Sequence, residues 1–257
     1  MNPKDWRRAL GFSNQKLAKS YFQAKDLPLP VNYQHLETLN DRIAELIARI
    51  NAVVHPSIRH TNISQLITDC VYQVYEELKR NDLISGMRNN GRDPHNVYFS
   101  WLRGRAITEF LLPAVSQVLG ISRSQIEHSG SDVFLDQRSF ERTAVADLKL
   151  TLRDSSVWMV EVQAGFTKQH DIKRQKVREA VRTYETHRIS SALLHFDVFD
   201  GRVALVALNT IDESKAARVS RDEYEGQQVI ELPDHSFIWQ IADEPPDLAS
   251  VTDWAVV

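Results

Sequence analysis

Two carboxylates and an amide stand out at residues 147–163, in segments that otherwise consist largely of apolar and β-forming residues. A polar turn at residues 153–156 separates two such segments, so the stretch predicts a two-stranded hairpin. Side chains alternate along a strand, which places Glu161 and Gln163 on one face of the second strand. Asp147 precedes the turn by about as many residues as Glu161 follows it, so the two carboxylates are expected to meet across the pair. Paired carboxylates suit Mg²⁺, which prefers oxygen ligands.

The residues Ala146–Asp147 and Glu161–Val162–Gln163 resemble the signature of the PD-(D/E)XK nuclease superfamily, which includes most type II restriction endonucleases. The resemblance implies hydrolysis of phosphodiester bonds with Mg²⁺ as cofactor, and with Mn²⁺ able to substitute. It also implies that Asp147 and Glu161 bind the metal ion, with the Val162 carbonyl as a third ligand. Ala146 stands where the family usually has proline, and Gln163 stands where it usually has the catalytic lysine.

The glutamine at position 163 bears on the chemistry, because a neutral amide orients water but supplies no positive charge. A second metal ion or a lysine from elsewhere in the chain would compensate. Lys168 and Lys173 are near enough in sequence to be candidates, whereas Lys149, two residues after Asp147, is a weaker one. The alternative is that Gln163 marks a descendant that binds without cutting.

A further acidic residue precedes the hairpin. Many members of the superfamily carry one on the preceding helix, where it completes the metal site, and Glu109 in residues 103–109 resembles that element. A single glutamate on a helix is equally typical of an exposed surface. Asp132 and Asp136 are weaker candidates, because they fit exposed turn positions as well as a short strand.

The order of the predicted elements extends the resemblance to residues 101–211. Apolar residues at helical intervals from Tyr98 to Leu119 predict a helix that ends at Gly120. The hairpin follows, then a basic helix, and then two β-rich segments joined by Asp200–Gly201, a strong hairpin signal. This order is similar to the α-β-β-β-α-β core of the superfamily. It predicts an α/β (α+β) fold, with a restriction-endonuclease-like core whose central mixed sheet is flanked by helices.

The chain divides into two predicted regions. Residues 1–96 form an N-terminal helical subdomain and connector, and residues 97–257 form the nuclease-like core with a C-terminal extension. Within the first region, apolar stripes at helical spacing predict two helices over residues 36–83, separated near His55–Pro56. Residues 87–96 are rich in Gly, Pro and Asn and predict the connector.

Positive charge is concentrated in residues 168–188, directly after the proposed site. This basic segment predicts DNA contacts from Lys168, Lys173 and Arg174, although a solvated surface has the same composition. In the connector, side chains with suitable chemistry for reading base edges in the major groove are Arg88, Asn89, Asn90 and Arg92. A polar loop has the same composition as this second set.

Composition excludes several other classes. The 257-residue chain has a net charge of −3 and one cysteine, Cys70, so it has neither an intramolecular disulfide nor a cysteine metal cluster. It lacks the signatures of a zinc helix, a serine-hydrolase elbow, a phosphate-binding loop and a dinucleotide fold. An apolar leader and a membrane span are also missing, which predicts a cytoplasmic protein without a membrane partner.

Taken with the resemblance, these features predict a Mg²⁺-dependent, sequence-specific endonuclease of type II restriction character that acts on double-stranded DNA. The resemblance further implies a homodimer, whose two-fold symmetry matches a palindromic site, and a cognate DNA methyltransferase as a genetic rather than physical partner. Two alternatives stay open: a nuclease of repair or recombination that reads DNA structure, and a non-catalytic DNA-binding protein with a decayed site. Discrete fragments from plasmid DNA would separate the first prediction from both.

Overall fold

The structure is a computed structural model that describes residues 2–14, 17, 18, 21, 29–87, 93–129, 146–166, 170–214, 218–221 and 227–257. The polar residues proposed at positions 88, 89, 90, 92, 132, 136 and 168 therefore lie outside the described residues. In the described residues no helix is long and apolar enough to cross a lipid bilayer.

The N-terminal third is helical. Its helices are α1 (Pro3–Ala9), α2 (Tyr33–Val53), α3 (Ile63–Ile67) and α4 (Gln73–Arg80), and a π-helical turn (Thr68–Tyr72) joins the last two. Asparagine side chains begin three of them, because Asn2, Asn32 and Asn62 each accept a hydrogen bond from a first-turn backbone N–H. The predicted pair of helices separated near His55–Pro56 is confirmed.

Helix α5 (Pro94–Leu119) is the central packing element. Asp93 caps its N-terminus, and Gly120 closes its C-terminus in the left-handed conformation that favours glycine. Its first half packs against α2 and its second half packs against the sheet. The predicted end at Gly120 is confirmed.

A six-stranded sheet forms the middle layer, in the order β1-β2-β3-β5-β6-β9. Its strands are β1 (Ile126–His128), β2 (Leu148–Thr151), β3 (Val157–Gly165), β5 (Ser190–Asp197), β6 (Arg202–Ala207) and β9 (Phe237–Gln240). Strands β2 and β3 form the predicted antiparallel hairpin, whose turn places Ser155 at a φ of 66°. Strands β3 and β5 are parallel, and the helix α6 (Arg174–His187) connects them.

A second sheet of three strands lies beyond the first, in the order β4-β8-β7, with β4 (Asp171–Lys173), β7 (Arg218–Arg221) and β8 (Gln227–Glu231). Strand β4 corrects one expectation from the sequence, because residues 171–173 of the predicted basic helix form a strand. Its residues 171–173 pair with β8, about 60 residues away along the chain, and the helix begins only at Arg174. Local periodicity carries no information on such a distant partner.

The buried apolar residues form two clusters on opposite faces of the large sheet. The larger cluster is continuous from α2 through α5 to the inner faces of β2, β3 and β5. The smaller one lies between the other sheet face, α6 and the second sheet, and includes Ile172, Val177 and Leu193. The chain is therefore a mixed α/β protein with a six-stranded mixed sheet flanked by helices.

Candidate functional site

The residues that carry the two carboxylates, Asp147 and Glu161, lie beside each other at the open end of the hairpin. Leu148 pairs with Val160 in the β2–β3 register, and both of these side chains are buried in the larger cluster. Alternation along β3 then directs Glu161 to the opposite face of the sheet, and Asp147, the residue before β2, lies beside Glu161 where the β2–β3 register would continue. Asp147 Oδ2 accepts a hydrogen bond of 2.7 Å from the Val162 backbone N–H, which fixes this carboxylate against β3. The backbone of Val162 is thus part of the site through its N–H, and its carbonyl remains the predicted third ligand.

Lys176 supplies a cation to this pair. It lies in the first turn of α6, and its ammonium group forms an ion pair with Glu161. Both side chains are partly buried, with 38% and 27% of their surfaces exposed, so water screens the pair less than it would on an open surface. The lysine that contacts Glu161 therefore comes from helix α6, whereas Gln163 lies on strand β3.

Lys176 was not among the lysines that the sequence predicted to compensate for Gln163. Lys173 lies one residue before α6 and is exposed, and Lys149 pairs with Glu127 at 3.0 Å. Helical spacing within α6 was the signal that could have predicted this contact. The buried residues Val177 and Ala180 define the inner face of the helix, and Lys176, four residues before Ala180, lies on the same side. That signal needed the correct helix start at Arg174.

Gln163 has a structural contact. It lies on the same face of β3 as Glu161, and its Nε2 donates a hydrogen bond of 3.2 Å to the Asp171 backbone carbonyl. The amide therefore joins β3 to the first residue of β4, the strand that leads into α6. This contact links the position of Gln163 to that of Lys176.

Glu109 forms an ion pair with a histidine, His128. Its Oε1 lies 3.0 Å from His128 Nε2, and 18% of its side chain is exposed. Burial raises the pKa of Glu109, but the hydrogen bond and charge of His128 outweigh that effect and hold the pKa below its ordinary value. His128 pairs in register with Leu148, the residue after Asp147, so Glu109 lies near the same end of the hairpin.

The donor set suits a hard cation with few protein ligands. Among the described residues, no group of three or more His, Cys, Asp or Glu side chains is arranged to hold a metal ion. Mg²⁺ commonly uses one or two carboxylates and completes its coordination with water and substrate phosphate, so Asp147 and Glu161 fit that ion. They do not fit a structural zinc site, which takes four protein ligands.

The basic face of α6 is partly neutralised by acidic residues. Arg174 donates to Glu213 and to Gln228, and Arg178 Nε lies 3.1 Å from the second oxygen of Glu213. These two arginines hold the pKa of Glu213 below its ordinary value. Of the predicted DNA contacts, Arg174 therefore also joins α6 to the loop after β6, and Lys173 lies exposed beside it.

No model of a known protein family matches the chain, and no curated protein matches it either. The geometry of the site therefore carries the functional argument.

Proposed function

We propose that the chain is a metal-dependent phosphodiesterase of the PD-(D/E)XK type that cuts double-stranded DNA. The observation that carries the proposal is the placement of Asp147 and Glu161 beside each other at the open end of the hairpin, with Asp147 bound to the Val162 N–H and Lys176 paired to Glu161. The order α5, β1, β2, β3, α6, β5, interrupted only by the short strand β4 of the second sheet, supports it. A mixed sheet with a helix connecting two parallel strands is the arrangement that the family resemblance implies.

Asp147, Glu161 and the Val162 carbonyl would hold Mg²⁺ or Mn²⁺. When bound, the ion supplies positive charge that acidifies a water and stabilises both the attacking and leaving oxygens. The chain itself fixes the ligands, because the hydrogen bond from the Val162 N–H orients Asp147 and the ion pair with Lys176 orients Glu161. Fixed ligands need little reorganisation when the substrate binds.

Lys176 takes the place of the family lysine in this proposal. Its ammonium group stabilises the negative charge that develops on the phosphate, which the neutral Gln163 does not do. Gln163 keeps a positioning role through its hydrogen bond to the Asp171 carbonyl. Glu109 pairs with His128, whose register with Leu148 places the pair on the sheet face that packs against α5, so a part for Glu109 in the metal site stays a prediction.

The proposed substrate is DNA at a specific sequence, cut by a homodimer in the manner of a type II restriction enzyme. Lys173 and the first turn of α6 follow the site directly, so a phosphate bound at the carboxylates would lie close to their positive charge. Two copies related by a two-fold axis would then cut both strands of a palindromic site.

Cleavage of unmethylated plasmid and phage DNA with Mg²⁺ tests the proposal. Asp147→Asn, Glu161→Gln and Lys176→Met should each lower the rate by roughly 100-fold or more, since each removes charge that the transition state uses. Lys79→Met is the matched control, because Lys79 pairs with Glu37 at 3.0 Å and has 36% of its side chain exposed, far from the hairpin. Its cleavage rate should equal that of the wild type.

The pattern of products separates the alternatives. Discrete fragments that require Mg²⁺ and disappear in the three variants support a sequence-specific endonuclease. A smear with the same requirements would instead indicate a nuclease that reads DNA structure. Intact DNA with both Mg²⁺ and Mn²⁺, together with retained DNA binding, would replace the proposal with a non-catalytic DNA-binding protein.

A further inference from the structure

A buried polar cluster lies one strand away from the candidate site, on the same face of the sheet. It consists of His170, His195, Asp197 and Arg202. In the β3–β5 register His195 is the neighbour of Gln163, so the cluster adjoins the strand that carries Glu161. His170, His195 and Asp197 have only 4%, 1% and 1% of their surfaces exposed. Titratable side chains are seldom so buried unless they are paired.

The cluster is a chain of directed contacts. Arg202 donates to Asp197 Oδ2 from Nε and Nη2, at 3.2 and 3.1 Å. The same oxygen lies 3.2 Å from His170 Nε2, and His170 Nδ1 lies 2.9 Å from His195 Nε2. Asp197 Oδ1 accepts the backbone N–H groups of residues 199 and 200, so both carboxylate oxygens are used. Breaking one member would leave the others buried and unpaired, which is costly.

The imidazole pair lies directly against β3. A Cβ atom placed on Gly165 would lie 3.3 Å from two ring atoms of His195 and 3.8 Å from His170 Nδ1. A side chain at position 165 would thus be tight against the His195 ring and in ordinary contact with the His170 ring. On the other side, the Phe237 ring lies 4.7 Å from the His170 ring, centroid to centroid.

His170 also begins the segment that leads to Lys176. Its backbone carbonyl accepts the Leu232 N–H at 2.7 Å, and the carbonyl of the next residue, Asp171, accepts Gln163 Nε2. Strand β4 and the first turn of α6 follow at once. The start of this segment is thereby held by its side chain, by β3 and by the residue after β8.

We infer that His170 is a positioning residue: its imidazole, held between Asp197 and His195, fixes the start of β4 and thereby keeps Lys176 against Glu161. A role for His170 in catalysis rests on the proposed function, whereas its role in holding Lys176 against Glu161 does not. Polar contacts at both ring nitrogens, with His195 at Nδ1 and with Asp197 at Nε2, set the orientation of the side chain, which an apolar residue of similar volume would leave undirected.

Lysine acylation by acetic anhydride, read by peptide mass spectrometry, tests the placement without DNA or metal. In His170→Ala, the acylation rate of Lys176 should rise by roughly tenfold over wild type, because local opening releases the ammonium group from Glu161. Lys149 is the internal control, since it pairs with Glu127 at 3.0 Å on the neighbouring strand and has 41% of its side chain exposed. Its rate should not change.

Two results would overturn the inference: an unchanged rate at Lys176, or an equal rise at both lysines, which would mean general loosening. Circular dichroism and urea midpoints identify any variant that does not fold. If His170→Ala is such a variant, Asp197→Asn replaces it, because that change keeps an acceptor beside His170 while it removes the charge; the rate at Lys176 should again rise alone.

A double-mutant cycle in the cleavage assay tests the link to catalysis. His170→Ala should lower kcat and leave KM nearly unchanged, and it should have little further effect in a Lys176→Met background, because both changes act through one group. Additive losses would show that His170 does not act through Lys176. If the wild type does not cut DNA but the acylation pattern holds, the proposed function fails and the positioning role stands.

Discussion

At the scale of single residues, the site combines two negative charges with one positive charge. Asp147 and Glu161 together with Lys176 sum to a charge of about −1, and a divalent ion would bring the total to about +1. A phosphodiester carries one negative charge at each phosphate, so the site with its ion would complement one phosphate. Without Lys176 the same site would be neutral with the ion bound, and it would attract the substrate less.

Similar spacing from the turn was enough to predict that Asp147 and Glu161 meet across a hairpin, and the hairpin is confirmed. The lysine was not predictable in the same way. Its contact with Glu161 depends on where β4 ends and α6 begins, and on a strand pairing with residues about 60 positions away. The contact between His170 and His195 likewise joins residues that no local pattern relates.

His195 should make the stability of the protein depend on pH. Burial, followed by the charge of His170, lowers the pKa of His195 from its ordinary 6.5 to about 4. The unfolded chain therefore binds a proton below pH 6.5 that the folded chain does not bind until about pH 4. The free energy of unfolding should therefore fall as the pH is lowered from 6.5 to about 4, by up to roughly 3 kcal/mol from this group.

Urea denaturation at pH 7 and pH 4.5 measures this effect. The loss of stability at pH 4.5 should be smaller in His195→Gln than in wild type, since glutamine takes up no proton. His235→Gln is the control, because His235 is exposed, and it should lose as much stability as wild type. Equal losses in all three proteins would contradict the assignment to His195, as acidic groups such as Glu109 would then account for the whole effect.

At the scale of elements, the C-terminus of α5 is joined to the turn of the hairpin. Arg153 in that turn donates to the Gly120 carbonyl at 2.8 Å, and Gly120 has a φ of 56°. The end of the helix and the turn of the hairpin are therefore fixed relative to each other. The sequence predicted the helix end and the turn separately, because each has a local signal, but it gave no indication of their contact.

Gly120→Ala should destabilise the protein by about 1–2 kcal/mol, the cost of a left-handed conformation for a residue with a Cβ atom. That Cβ would also lie 1.4 Å from Nη2 of Arg153, so this flexible side chain must move away. The urea midpoint measures the change. Gly86→Ala is the control, because no atom lies within 4 Å of a Cβ there, and its effect should stay within about 0.5 kcal/mol. Equal effects would contradict a specific role for Gly120.

At the scale of the whole molecule, one apolar cluster continues from α2 to the sheet, so the N-terminal helices and the sheet share a core. Apolar periodicity predicted helices before residue 96, and the family resemblance implied a mixed sheet after it. They did not predict that α5 serves both regions. Because α5 has buried residues along its whole length, its sequence does not indicate which of them contact α2 and which contact the sheet.

The distribution of charge makes a prediction about DNA binding by the whole molecule. With a net charge of −3, the protein has no general attraction for DNA, so the proposed binding must depend on a local basic surface around β4 and α6. Each phosphate contact releases counterions, and the logarithm of the binding constant then falls with the logarithm of the salt concentration. Removing one contact should reduce that slope by about 1.

Lys173→Ala tests this expectation, with DNA affinity measured at several salt concentrations in Ca²⁺ to prevent cutting. The slope should fall by about 1 relative to wild type. Arg49→Ala is the matched control, because Arg49 lies exposed on α2 and pairs with Glu45 far from the hairpin; its slope should be unchanged. A slope that is the same in all three proteins would exclude Lys173 from the DNA contacts. An equal fall in both variants would instead mean that the affinity depends on the overall charge of the protein. A local interface would be affected by the loss of Lys173 but not by the loss of Arg49.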